Sequence, residues 1–176
     1  MALLQSGGLE LVVSDDPAVG FSMPGEDVVE SGIRSAYTCT LYDDVDPSSL
    51  NTLERTVAGI IEQSDNVLWW VRNKVGHGWY AIQGWQRGKV RPDFIIARKN
   101  DASDALEFVY IVESKGEQLM GNLDTQYKAA VFERMQGARV RAAPAGGGTV
   151  VMRINDRFQF ELLPQGEEER RLRAKL

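Results

Sequence analysis

The chain reads as an α/β domain, and three observations predict it. Apolar residues recur at helical spacing over 48–64 and again over 118–136. Short runs of strand composition, bounded by Gly, Pro and Asn, fill the space between them. Further strand-like runs follow the second helix. The resulting order is α-β-β-β-α-β.

Each element has a local reason. Asp46-Pro47-Ser48-Ser49 predicts a helix start, with a capping side chain and Pro in the first turn. Leu50, Leu53, Val57, Ile60 and Ile61 then share one face to about Ser64, with Glu54 at its edge and Arg55 and Glu62 further round. Val67 to Asn73, Trp79 to Gln83, Val90 to Ala97 and Glu107 to Lys115 read as strands, the first two separated by "KVGHG" and the next by "GWQRGK". A second helix over 118–136 carries Tyr127, Ala130, Val131 and Arg134/Met135 on its inner stripe and stops at Gly137. "ARVRAAP" and "TVVMRI" flank the "AGGG" loop as late strands, and "FQFELL" adds another. Residues 46–163 form the expected domain. Residues 1–45, with "LELVVS" and "AYTCTLY", are a strand-rich extension, and 164–176 are a charged tail, either a solvated helix or frayed.

Composition narrows the class. An apolar content of 43% fits a globular domain rather than a disordered one. No apolar run reaches the roughly 18 residues of a membrane span, and no signal peptide is visible, so the expectation is a cytoplasmic protein with no membrane partner. Cys39 is the single cysteine, which excludes an internal disulfide and a cysteine metal cluster; a small buried apolar role is expected. His77 is the single histidine, flanked by glycines in a loop, and supports no catalytic triad. A net charge of −5 argues against a freestanding, strongly DNA-binding protein. The charge is uneven, however. Residues 1–65 hold 12 acids and 2 bases, whereas 72–99 hold 7 bases and the single acid Asp93, so phosphates could approach the second stretch. Of the tryptophans at 69, 70, 79 and 85, core packing is expected before base stacking.

The chemistry gathers at the ends of two strands. Pro92-Asp93 opens the run Phe94 to Ala97, and Glu113-Ser114-Lys115 closes the run Phe108 to Val112. Residues two apart share a strand face, so Glu113 and Lys115 point the same way. A hairpin centred on Ser103 sets Asp93 opposite Glu113. Two carboxylates suit a hard cation such as Mg²⁺, and a lysine beside them can hold and help activate a water.

The order PD then ExK resembles the PD-(D/E)XK nuclease superfamily from about Leu50 to Met135. Nearer still, "VLWWVRNKVGHGWYAIQGWQRGKVRPDFII" followed by "IVESKGE" is similar to the C-terminal nuclease domain of type III restriction enzyme helicase subunits. The resemblance implies a restriction-endonuclease-like αβββαβ core, a central mixed sheet flanked by helices. It implies a Mg²⁺-dependent DNA endonuclease of a restriction or anti-phage system, with Mn²⁺ able to substitute. Asp93, Glu113 and the backbone carbonyl of Ser114 would hold the metal. Lys115 would be catalytic, with Glu54 from the first helix and Lys128 from the second assisting. By the resemblance Arg72, Asn73 and Gln126 would contact nucleic acid, and by their place in the basic stretch 72–99 so would Lys74 and Arg91. The chain carries no Walker-type phosphate loop, so a helicase or ATPase, as a lost domain or a separate subunit, is the expected partner. Double-strand cleavage would call for a homodimer or a second nuclease. The alternative is a nuclease-fold module that binds nucleic acid or docks a helicase without cutting.

Overall fold

The computed structural model describes residues 37–41, 45–76, 79–136, 139–142, 150–153 and 158–176. "LELVVS", His77, the Gly137 stop and the "AGGG" loop lie outside them. Three helices, α1 (Thr52–Glu62), α2 (Leu123–Gln136) and α3 (Glu168–Lys175), accompany eight described strands. These are β1 (Val67–Arg72), β2 (Ile82–Gln83), β3 (Lys89–Val90), β4 (Phe94–Lys99), β5 (Leu106–Lys115), β6 (Arg139–Ala142), β7 (Val150–Arg153) and β8 (Phe158–Pro164).

The main sheet has the order β1-β4-β5-β8. β1, β4 and β5 run antiparallel, and β8 lies parallel to β5, so the sheet is mixed. Phe94 faces Val112 and Ile96 faces Tyr110, the register expected from a hairpin centred on Ser103. Alternation then sorts the side chains. Phe94, Ile96, Phe108, Tyr110 and Val112 pack with Val57, Ile61 and Leu172 on the α1 and α3 side. Ile95, Val109 and Ile111 point to the other side, where Tyr80 and Phe160 link them to the cluster of α2.

Several boundaries differ from expectation. Helix α1 starts at Asn51, not at Asp46. Asn51 and Glu54 form a reciprocal capping box: the Glu54 N–H donates to Asn51 Oδ1 and the Asn51 N–H to Glu54 Oε2, both at 2.9 Å. Asp46 instead accepts from Ser48 and closes a separate 3-10 turn, Pro47–Ser49. The expected strand from Val90 to Ala97 is split at Pro92, which has no N–H to give a ladder. Val90 joins β3, which pairs with β2 in a two-stranded ribbon outside the main sheet. Helix α2 begins at Leu123, because Gly121 takes a positive φ of 89° and Asn122 caps the Thr125 N–H at 2.7 Å. Its buried residues include Phe132 as well as Tyr127 and Val131, while Ala130 and Met135 are half-buried and Arg134 is exposed.

The charged C-terminal segment is neither frayed nor wholly solvated. It forms α3, whose Leu172 is fully buried against the core with Leu176 beside it. At the other end, residues 37–41 run along the free edge of β1. Trp70 donates its N–H to the Cys39 carbonyl, and Leu41 donates to the Trp70 carbonyl. Cys39 is half-buried rather than buried. No helix among the described residues is long and apolar enough to cross a membrane.

Candidate active site

The end of the β4–β5 pair carries the ionisable cluster. Where the ladder reaches Pro92, Asp93 completes it with backbone and side chain together. Its N–H donates to the Val112 carbonyl at 2.9 Å. Its Oδ2 accepts from both the N–H and the hydroxyl of Ser114, at 2.8 and 2.7 Å. The Asp93 carboxylate is therefore fixed to the strand that carries Glu113 and Lys115.

On the α2 side of the sheet, Glu113 is buried, with 2% of its surface exposed. Its Oε1 lies 2.7 Å from the Nζ of Lys115 and 2.7 Å from the Nζ of Lys128. Strand alternation brings Lys115 to the same face, and α2 delivers Lys128 from above. Its other oxygen, Oε2, is buried and has no hydrogen-bond partner. Burial pushes the Glu113 carboxyl above its ordinary value, and the nearby charge of Asp93 adds to this; the two lysines oppose the rise without cancelling it. Burial pushes the Lys128 ammonium down, but its bond to Glu113 overrides that and holds it above the usual lysine value. Lys128 also lies 3.4 Å from Asp124, one helical turn back.

On the α1 side, Glu54 and Arg72 form a second pair. Glu54 is buried, and both of its oxygens are engaged: Oε2 caps α1 and Oε1 accepts from Arg72. Arg72 lies over the Phe94 ring, donates to the carbonyls of Asn73 and Asp93 at 2.7 and 3.0 Å, and reaches Asp93 Oδ1 at 3.4 Å. Glu54 thus meets the site through Arg72, and Arg72 stands where the two faces of the sheet meet at Asp93.

Two bonded groups are therefore brought together, Glu54, Arg72, Asp93 and Ser114 in one and Glu113, Lys115 and Lys128 in the other, with Asp93 close enough for its charge to act on Glu113. Ser114 takes part through its N–H and hydroxyl rather than through the expected carbonyl. The remaining candidates sit elsewhere. Asn73 is 4% exposed and gives its amide protons to the Tyr80 and Pro92 carbonyls at 2.9 and 2.8 Å. That staples the base of the β2–β3 ribbon to the sheet, and the amide has no proton left for a phosphate. Lys74 is exposed over the Trp79 ring. Gln126 is exposed and donates to the Gly121 carbonyl. Arg91 is half-buried, with its Nε unpartnered. Sequence reasoning placed Arg72 at a phosphate and missed its place as the link between Glu54 and Asp93. The available signal was parity: Arg72 shares a face with Trp70, toward α1.

Among the described residues, no three His, Cys, Asp or Glu side chains cluster as a metal cage. Mg²⁺ needs no such cage, since one or two carboxylates with water complete its shell. The donor types present fit that demand: the unpartnered buried Glu113 Oε2, with the Asp93 carboxylate anchored nearby. No known protein family, no curated protein and no solved structure matches the chain.

Proposed function

We propose that the chain is a Mg²⁺-dependent nuclease domain of the restriction-endonuclease-like fold that hydrolyses phosphodiester bonds in DNA. The observation that carries this reading is the arrangement around Glu113: a buried carboxylate with one oxygen bound by two lysines and the other buried without a hydrogen-bond partner, next to the anchored Asp93. A divalent cation bound there would polarise the phosphate and make a bound water more acidic. Lys115 would hold and help activate a nucleophilic water and would stabilise the charge that develops on phosphate oxygens. Lys128 is a second ammonium available to the same phosphate. Arg72, based on Glu54, limits the negative charge at Asp93. By its resemblance to helicase-linked nucleases, the domain would act in restriction or phage defence, with a helicase or ATPase delivering DNA. Cutting both strands would take two copies or a second nuclease.

The test is cleavage of supercoiled plasmid with Mg²⁺, Mn²⁺ or EDTA, with unaltered protein beside Lys115→Ala. Metal-dependent nicking lost in the variant is the expected result. Metal-independent cutting, or cutting that survives the substitution, would sink the assignment.

A second reading has one observation in its favour. Glu54, Asp93 and Glu113 are matched by Arg72, Lys115 and Lys128, so the cluster is internally paired. A binding module without catalysis would keep such pairs for structure. Titration calorimetry with Mn²⁺ separates the two, since a purely structural cluster takes up no cation.

A further inference from the structure

The seven bases over 72–99 do not form one surface. Arg72 is engaged by Glu54 and Asp93. Arg98 pairs with Asp101 and Glu107, and Lys99 with Asp104 at 3.1 Å, so acids of their own hairpin neutralise them. The charge without an acid partner among the described residues is on Lys74, on Arg91 and, most exposed together, in the β2–β3 ribbon. Arg87 and Lys89 are exposed, with no ion pair among the described residues, and no acid lies between Gly84 and Arg91.

The ribbon is also built to hold its shape. A Cβ at Gly84 would stand 2.2 Å from the Tyr127 hydroxyl, so only glycine lets the turn seat against α2. The Gln86 N–H donates to that same hydroxyl at 3.1 Å, and the Gln83 amide bonds the Gly84 and Gln86 carbonyls at 3.2 and 2.8 Å. Trp85 meets Tyr127 edge-on and carries the Arg134 guanidinium 5.1 Å from its ring centre, yet stays 46% exposed. A half-exposed indole braced by Tyr127, beside cations that have no ion pair among the described residues, has the make-up of a base-stacking platform with phosphate contacts. Its position is adjacent to the chemistry: four residues separate Lys89 from Asp93, at most about 14 Å of extended chain. On the other side, Tyr127 precedes Lys128.

We infer that the β2–β3 ribbon is a single-stranded nucleic-acid docking surface, with Trp85 stacking on a base and Arg87, Lys89 and Arg134 contacting the backbone. This rests on the nuclease reading for its biological sense, and it is tested without catalysis. Anisotropy of a fluorescent single-stranded oligonucleotide is measured in EDTA across a salt series, with a duplex of the same sequence in parallel. The proteins are the unaltered chain, Trp85→Ala and the double variant Arg87→Ala/Lys89→Ala. All three substitutions are at exposed positions, and circular dichroism checks the fold.

The expected result is about tenfold weaker binding for Trp85→Ala. The double variant binds about tenfold more weakly and shows a shallower salt slope, by about 1.4 for two lost phosphate contacts on a single strand. No binding by the unaltered chain, equal binding by the variants, or preference for duplex without a Trp85 effect would each overturn the proposal. Ribbon-dependent binding without any cleavage would sink the nuclease reading alone. Cleavage with ribbon-independent affinity would sink this one alone.

Discussion

Glu62 and Glu113 are both acids beside an apolar core, and their surroundings treat them oppositely. Glu62, near the end of α1, accepts from four donors: the Thr38 N–H and hydroxyl on one oxygen, the Cys39 N–H and Trp70 Nε1 on the other. Burial pushes its carboxyl up, but those bonds outweigh burial and hold it below the ordinary value. Glu113 has two ammonium partners on one oxygen, nothing on the other, and a carboxyl held above the ordinary value. The first acid ties residues 37–41 to the β1 edge. Burial pushes the carboxyl of the second up, against the pull of its two lysines. A buried acid among convergent cations is the arrangement the proposed nuclease reading would use.

That contrast can be broken experimentally. The largest effect should come from Lys115→Ala, which removes one of the two charges on Glu113 and should cut plasmid nicking by about 100- to 1000-fold. Stability measured by urea unfolding should fall as well, because the buried Glu113 loses one of its two ammonium partners, while Lys128 keeps the other.

Next is Glu62→Gln. Losing an ionised acceptor for four donors should cost about 2 kcal/mol in the same unfolding experiment. The pH dependence has a definite sign. A carboxyl with a lowered folded pKa stabilises the fold above its unfolded value near 4.5. That contribution is lost as pH falls through the lowered folded value. Unaltered protein should therefore lose more stability than Glu62→Gln between about pH 4.5 and the acid end of the titration.

Glu113→Gln should cost less stability at neutral pH than Glu62→Gln, because burial raises the Glu113 carboxyl and offsets part of what its two lysine contacts contribute. Its contribution runs the other way, falling as pH rises from near 4.5 through the raised folded value. A loss as large as that of Glu62→Gln would make Glu113 another structural acid and erase the contrast. The smallest expected change is that of Thr38→Val, which removes one exposed hydroxyl bond to Glu62 and should cost about 0.5 kcal/mol.

The legible parts of the site were those set by local period. A hairpin loop centred on Ser103 and strict side-chain alternation were enough to bring Asp93 to Glu113 and to turn Lys115 the same way. The capping box at Asn51 and Glu54 was equally readable, since Asn-x-x-Glu is a helix-start pattern, but Asp46-Pro47 offered a competing start five residues earlier. The illegible parts depend on contacts distant in sequence. Nothing near Glu62 announces that Thr38 and Cys39 will fold onto it. Leu172 lies in a segment so charged that its one buried face is hidden by composition. The splitting of the 90–97 run was foreshadowed by Pro92, but where the released Val90 would pair was a tertiary outcome.

Strand β5, which carries Glu113 and Lys115, completes its pairing in the sheet with β8, its parallel neighbour from beyond α2 and the β6–β7 hairpin. Parallel partners cannot meet through a tight turn, so this union closes a long loop and comes late in folding. Until it forms, β5 has a bare edge of apolar residues, from Phe108 to Val112, open to pairing with other chains. Refolding should accordingly show a slow phase that reports β8 docking, with aggregation growing at higher protein concentration while that phase lasts. The strand that carries the proposed chemistry is thus also the one most exposed to misassembly on the way to the folded state.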